Sequence, residues 1–530
     1  MDRILEKRVE NHLRSDLQNE DFFCSAELVL DRDHTVPEAE KFVRDAAKEP
    51  AGIKVISLTD LPGGNPSLPP EAFASFVVEN GLTPLAHLTG KDGNRSFVEG
   101  RLHALARIGV ENILALTGDA QKSAFLGKAK PVFDLDSVLM LWLIRALREG
   151  LQYNVGNREV RTSPFDFFPG VVVNPYKASE PDQMMQFYKL ELKIAVGAKF
   201  IITQLGFNLR KLFELKQYML RQKLDHIPVI ANIYVPTATI AKMMKAGEVA
   251  GCIISDDFIR RLEGGKKPER LERAALMLAA VRNLGFAGGH IGGFGLNHAD
   301  FMKIVGRSLE IGQDWKRRME ELTFETPGEF YLLPQGTDGL SEPAGEYQLS
   351  TAQQHLSVLQ RLSMSVHRIM IDPESFGARF LNARLERERD PKGGAAPGKG
   401  LWHSAIGISS LYRKATLGCM SCGDCIQDHL LYAGCSMRWC YKNLRNGPCG
   451  GSRQDGSCEA DPSLPCIWNL VYSSAVASGD DPARFGRILI PPRDWCLDQT
   501  NALANRLVGL DNYCRRVSVG KTGDSPLEPA

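Results

Sequence analysis

The chain has 530 residues, 43% hydrophobic and 24% charged, with 64 basic and 63 acidic side chains and a formal net charge of +1. That composition can bury a full-sized core and excludes a disordered polymer. So balanced a charge argues against a dedicated nucleic-acid binder, which needs a basic field.

Residues 1–20 are charged throughout and read as an N-terminal helix, since a secretory signal needs an apolar stretch. The apolar run Val138–Ile144 is seven residues, far below the ~20 that span a bilayer. A cytoplasmic protein without a membrane partner is expected. There, disulfides are disfavoured and clustered thiols read as metal ligands.

From residue 21 to 312, short apolar runs alternate with amphipathic segments. Strand candidates start at Phe22 (FFCSAELVL), Ile53 (IKVISLT), Leu82 (LTPLAHLT) and Asn112 (NILALTGD). Four more start at Phe167 (FFPGVVVNP), Phe200 (FIITQLGF), His226 (HIPVIANIYV) and Gly288 (GGHIGGFG). Helical patterns such as PEAEKFVRDAAKE, RSFVEGRLHALARIG, DSVLMLWLIRALREG and LRKLFELKQYMLRQKL lie between them. Pro37 and Asp136 mark helix starts, and Gly109, Gly150 and Gly197 follow helix ends. Eight such units predict an α/β fold, a closed (β/α)8 TIM barrel. A doubly wound sheet competes, but no G-x-G-x-x-G follows the first strand.

In such a barrel, chemistry belongs at the C-terminal ends of the strands. That rule selects Glu27, then Thr59 and Asp60, then His87 and Thr89, then Gly118 and Asp119. It continues with Asn174, Gln204, and Asn297 with His298 after the last strand. Taken singly, Glu27 could be a structural ion pair, His87 a hydrogen-bonded core imidazole and Asp119 a helix cap. Their convergence on one rim favours a site.

The series Ala26-Glu27, Ser57-Leu58-Thr59, Ala86-His87-Leu88-Thr89 and Leu114-Ala115-Leu116-Thr117-Gly118-Asp119 resembles the methylenetetrahydrofolate reductase family. So do Lys193-Ile194-Ala195-Val196-Gly197-Ala198, Thr203-Gln204 and Gly295-Leu296-Asn297. The resemblance implies a flavin-binding barrel, with FAD or alternatively FMN, that reduces 5,10-methylenetetrahydrofolate to 5-methyltetrahydrofolate or runs the reverse. It makes Glu27 the general acid, a role suited to a carboxyl of raised pKa. Asp119 becomes the carboxylate facing both flavin and pterin. Thr59, His87, Thr117, Gly118, Asn174 and Lys193 take cofactor positions; Gln204, Asn297 and His298 join Asp119 on the substrate. The chain departs from the family with Thr117 in place of an arginine, Asn174 in place of an aromatic, and Gln204-Leu205-Gly206-Phe207 in place of Gln-Phe-Phe.

Residues 313–400 read as a connector with one helical segment around 351–370 and a charged, solvated stretch from Ala383. Gly393, Gly398 and Lys399 have phosphate-loop spacing, but Gly400 stands where Ser or Thr is required and no strand precedes them.

Residues 401–530 form a cysteine-rich domain and tail. Of twelve cysteines, eight fall between Cys419 and Cys466; Cys24 and Cys252 precede them, Cys496 and Cys514 follow. Candidate metal ligands are Cys419, Cys422, Cys425, Cys435, Cys440, Cys449, Cys458 and Cys466. The opening C-x2-C-x2-C triplet can wrap three thiolates round one face of a 4Fe–4S cluster. Tetrahedral zinc is the alternative, although two closed zinc sites normally show two C-x2-C pairs. LGCMSCGDC, LRNGPCGGS and Cys466-Ile467-Trp468 resemble the C-terminal domain of some methylenetetrahydrofolate reductases, which is a partner subunit in the acetogenic type. That resemblance implies an iron–sulfur or zinc module, which could exchange electrons with the flavin.

The expected partners are a tetrahydrofolate one-carbon substrate and an electron donor such as ferredoxin or NAD(P)H. No nucleic acid is expected, and a homo-oligomer is compatible with all of this. The competing function is a tetrahydrofolate-dependent methyltransferase or demethylase using a metal-bound thiolate or a corrinoid partner.

Overall fold

The computed structural model describes residues 10–349 apart from 33, 34, 50 and 123, scattered positions between 365 and 415, and residues 418–426, 435–507 and 510–511. Eight parallel strands close into a barrel, with β1 paired to both β2 and β8. They are β1 (Phe23–Leu28), β2 (Val55–Leu58), β3 (Thr83–Thr89), β4 (Asn112–Leu116), β5 (Phe168–Val173), β6 (Phe200–Thr203), β7 (Val229–Tyr234) and β8 (Gly288–Gly292). Each predicted run carries one strand, so the TIM-barrel expectation is the observed architecture.

Helices α1 (His12–Gln18), α2 (Val36–Ala47), α3 (Pro70–Glu79), α4 (Arg95–Arg107), α5 (Ser137–Glu149) and α6 (Glu180–Val196) come first. Helices α7 (Leu209–Arg221), α8 (Ala238–Lys245), α9 (Asp256–Glu263), α10 (Lys267–Asn283) and α11 (His298–Ile311) follow. Asp136 caps α5 by accepting from the amides of Val138 and Leu139, satisfying two of the four orphan donors at its start. An antiparallel hairpin, Gln152–Val155 with Arg158–Arg161, is an insertion between α5 and β5 that the alternation did not signal.

The barrel interior is apolar at one end. Phe23, Val55, Leu85, Leu114, Phe200, Ile202 and Ile230 gather round Leu13 of α1, which is fully buried. The amide of His12 donates to Thr83 Oγ1 at 3.1 Å, and Asn11 and Asn112 exchange side-chain amide bonds at 3.0 Å. The N-terminal helix is thus a plug in the bottom of the barrel, contributing ~1.5–3 kcal/mol through its leucine. Chemistry is left to the opposite end.

The first third of the predicted connector is packed, not free. Leu332 and Leu333 donate to the buried Glu214 carboxylate of α7, and Phe324 lies 4.5 Å, ring to ring, from Phe258 of α9. The predicted helical segment around 351–370 and the charged stretch 383–400 lie outside the described residues, isolated positions aside.

The cysteine-rich region contains the short α12 (Ser436–Trp439) and α13 (Ile467–Ala477), and α13 packs on α6. It sits over the C-terminal ends of β4 and β5. Lys189 Nζ donates to the carbonyls of Gly447 and Pro448 at 3.2 and 3.1 Å, and Lys177 Nζ to that of Ser452 at 2.8 Å. Ser452 Oγ donates to Asp182 Oδ1 at 2.7 Å, and the Asn446 amide to Asp136 Oδ2 at 3.2 Å. Lys177 and Lys189 are buried, so these bonds satisfy charges that would otherwise stand desolvated.

Candidate active site at the mouth of the barrel

The alternation of β1 turns Phe23, Ser25 and Glu27 inward, from the apolar bottom to the polar top. On the neighbouring β8 the same face carries Gly288, His290 and Gly292, so His290 is its one side chain there. A Cβ at Gly292 would stand 3.3 Å from Glu27 Oε1, so the glycine leaves room for the carboxylate. Ser25 and His290 are register partners, as are His290 and Asn232.

His290 bridges the strands. Its Nδ1 lies 2.8 Å from Ser25 Oγ and its Nε2 lies 3.2 Å from Glu27 Oε2. His87 Nε2 lies 2.8 Å from Ser57 Oγ, and the His87 and His290 rings are 6.4 Å apart. The ligand atoms of Glu27, His87 and His290 fall within 4.8 Å of one another, a reach that would also suit a metal ion.

Burial is the largest influence on Glu27 and pushes its carboxyl up. The hydrogen bond and charge of His290, with His87, outweigh it and hold the group below its ordinary 4.5. The structure therefore reverses the expectation of a raised pKa: an acid in an apolar strand has an imidazole for a neighbour. Burial holds His87 down at about 4, which keeps it neutral near pH 7.

Asp119 stands apart from this cluster, on the loop after β4. Burial and the neighbouring Glu459 raise its carboxyl, against the pull of Lys442. Gly118 before it has φ +89°, and a Cβ there would meet Lys91 Cβ at 2.9 Å, so only glycine fits the turn.

Other predicted residues also make bonds within the scaffold. Thr59 Oγ1 donates to Leu28 O at 3.4 Å, tying β2 to β1, while Asp60 holds Thr89 and Arg101. Thr117 Oγ1 accepts from the Ser137 amide at the start of α5, at 3.3 Å. Asn174 is buried and donates to the carbonyls of Gly251 and Gly450, at 2.8 and 3.2 Å, which joins the barrel to the cysteine region. Lys193 is buried too, gives its ammonium to Val172 O at 2.6 Å, and is held down to about 7 by burial. Gln204 Oε1 accepts from the Leu205 amide at 2.9 Å.

Asn297 and Asp300 form a reciprocal capping box at the start of α11, and His298 packs edge-on against Phe42 of α2 at 5.5 Å. Neither reaches the Glu27 cluster through any of these bonds. The sequence pattern gave no site role to Ser25, Ser57, Asn232 or His290. Strand parity was the available signal: His290 lies on the inward face of β8 between two glycines.

The eight clustered cysteines sort into neighbourhoods. Cys419, Cys422 and Cys435 interact with one another, and Cys425, three residues from Cys422, accepts from Arg413 at 3.5 Å. Cys440, Cys449, Cys458 and Cys466 form a second set. Burial pushes the thiols of Cys435 and Cys440 up, to about 11 and 12. Backbone amides of Ser421 and Gly451 donate to Cys419 and Cys449 sulfur, at 3.4 and 3.3 Å.

The fold and site together are a closed parallel barrel with a carboxylate–imidazole–hydroxyl chain at its C-terminal mouth and a cysteine-rich region on its rim. The chain belongs to the methylenetetrahydrofolate reductase family, whose pattern matches residues 12–284; residues 400–496 match the methylene-tetrahydrofolate reductase C-terminal family. No curated protein matches the chain. Among solved structures it is similar to an uncharacterized protein from Clostridium thermocellum that binds two copies of 5-methyl-5,6,7,8-tetrahydrofolic acid. The identity is 12% over 57% of this chain and 99% of that one, with a TM-score of 0.39. It is also similar to 2,3-dimethylmalate lyase, at 15% identity over 57% and 85% of the two chains with a TM-score of 0.32. Among the described residues no helix is long and apolar enough to cross a membrane.

Proposed function

We propose that the protein is a flavin-dependent oxidoreductase acting on the CH–NH bond of folate, interconverting 5,10-methylenetetrahydrofolate and 5-methyltetrahydrofolate. The observation that carries this reading is the Ser25–His290–Glu27 chain, at the inner C-terminal end of a barrel of this family. Opening the imidazolidine ring of the substrate to an iminium requires a proton at nitrogen. Glu27 and His290 can hold that proton in their shared hydrogen bond, and Ser25 fixes the ring through its other nitrogen. With the carboxyl held low by its neighbours, the acid is the hydrogen-bonded Glu27–His290 pair rather than Glu27 alone.

The mouth fits a flavin in its donor set. Asn232 Oδ1 is buried one strand from His290 without a hydrogen-bond partner, an acceptor ready for a ring N–H. Neutral His87, its ring 6.4 Å from that of His290, presents a second polar edge. A bound flavin, FAD or FMN, would supply hydride from N5. Asp119 faces the iminium with its carboxyl, and Gln204 can offer its amide nitrogen to the pterin edge.

The cysteine region fits 4Fe–4S clusters in two sets, Cys419, Cys422, Cys425 and Cys435 beside Cys440, Cys449, Cys458 and Cys466. Buried thiols need a cation to become thiolates, and amides aimed at sulfur are the usual tuning groups. Such a module would pass electrons between a donor such as ferredoxin and the barrel.

A visible spectrum with metal analysis of anaerobically purified protein tests this reading. Flavin bands with iron and sulfide are expected. Colourless protein holding zinc alone would overturn it in favour of folate-dependent methyl transfer.

A further inference from the structure

The two peptide groups that flank Asp119 are each held by a side chain of the cysteine region. Lys442 Nζ donates to Gly118 O at 2.7 Å, and Glu459 Oε1 accepts from the Ala120 amide at 2.8 Å. Lys442 and Glu459 also form an ion pair with each other, and their side chains are only 4% and 5% exposed. Gly451 leaves the space that the Glu459 carboxylate occupies. The loop they grip needs gripping, because Gly118 has left-handed backbone and no side chain of its own to pack.

From this arrangement we infer that Lys442 and Glu459 are positioning residues of the folate site, and that the cysteine region builds part of that site rather than only docking beside it. The clamp acts on backbone at residues 118 and 120 and so fixes the direction of the Asp119 carboxylate between them. Both clamp residues lie beside cysteines of the second set: Lys442 two residues after Cys440, Glu459 next to Cys458. The inference rests on the folate reading of Asp119 given above.

The test compares the full-length holoprotein with Glu459→Gln, Lys442→Met and the conservative Lys442→Arg. Flavin and iron content are measured on each, and only variants that retain both are compared. Calorimetric titration with 5-methyltetrahydrofolate should show weakening on the order of tenfold in Glu459→Gln and Lys442→Met, with Lys442→Arg restoring most of it. The effect should appear in KM for folate, with reduction of the enzyme by its electron donor unchanged. Amide hydrogen exchange over residues 118–120 should accelerate in the two weakened variants. Unaltered protein that binds no folate refutes the functional reading. Unaltered protein that binds folate, beside variants with unchanged affinity and unchanged exchange, refutes the clamp.

Discussion

Ser25 Oγ and His290 Nδ1 lie 2.8 Å apart across the two strands that close the barrel. That single bond sets the imidazole so that its other nitrogen meets Glu27. A hydroxyl, an imidazole and a carboxylate thus form one chain inside the mouth, aimed at whatever occupies it.

Removing the carboxylate should separate binding from chemistry. Glu27→Gln keeps the shape of the mouth and should retain flavin, while methylene-folate reduction falls about 10²–10⁴-fold. Stopped-flow turnover checks this, and near-normal rates would remove Glu27 from the acid role. Serine at 25 only orients, so Ser25→Ala should cost less than Glu27→Gln.

Glu27 also makes a pH-dependent contribution to stability. His290 holds its carboxyl below the ordinary 4.5, so the Glu27–His290 pair stabilises the fold above that value, and the contribution is lost as pH falls through the lower folded value. His87 adds a second window. It binds a proton near 6.5 when unfolded and at about 4 when folded, so its contribution is whole above 6.5 and declines as pH falls to about 4. Denaturation midpoints should therefore fall on acidification from 6.5. In His87→Gln the slope in that window should be shallower by up to about 1.4 kcal/mol per pH unit. An unchanged slope would contradict the assignment.

The cysteine sets should be separable. Cys422→Ser and Cys449→Ser should each lose about half the bound iron if two clusters share the region. The Cys449 variant should also loosen the contact with the barrel, because Lys189 binds the carbonyl beside it. Iron and sulfide assays read the first effect, and limited proteolysis between the two regions reads the second. Complete iron loss in both variants would point to one shared site.

At the other end of the barrel, Leu13→Ala should destabilise the protein by about 2–5 kcal/mol without moving the flavin spectrum, since Leu13 lies in the apolar plug. A spectral change would mean that the plug reaches the mouth.

The barrel itself was legible because eight short apolar runs alternate with capped amphipathic segments, and each became a strand. Glu27 and His87 could be picked by position, since a charged or polar side chain late in a buried strand has few structural excuses. His290 could not be weighed without pairing: its importance comes from β8 lying beside β1, a contact spanning 263 residues. Lys442 and Glu459 were further out of reach. Nothing in the pattern LRNGPCGGS says that the region around it will cover β4, because docking depends on buried lysines of another element meeting its carbonyls. Asn297 and His298 have structural partners that the sequence did not signal. Their place after the last strand suggested substrate, and the structure adds a capping box at Asn297 and an aromatic contact at His298.

Under the proposed function, reduced enzyme gives hydride to folate at the Glu27 end of the barrel. Anaerobically reduced protein mixed with 5,10-methylenetetrahydrofolate in a stopped-flow spectrophotometer tests it most directly. The oxidised flavin bands should return with stoichiometric 5-methyltetrahydrofolate, and that phase should be lost in Glu27→Gln. Reduced protein that stays reduced in the presence of the substrate would contradict it.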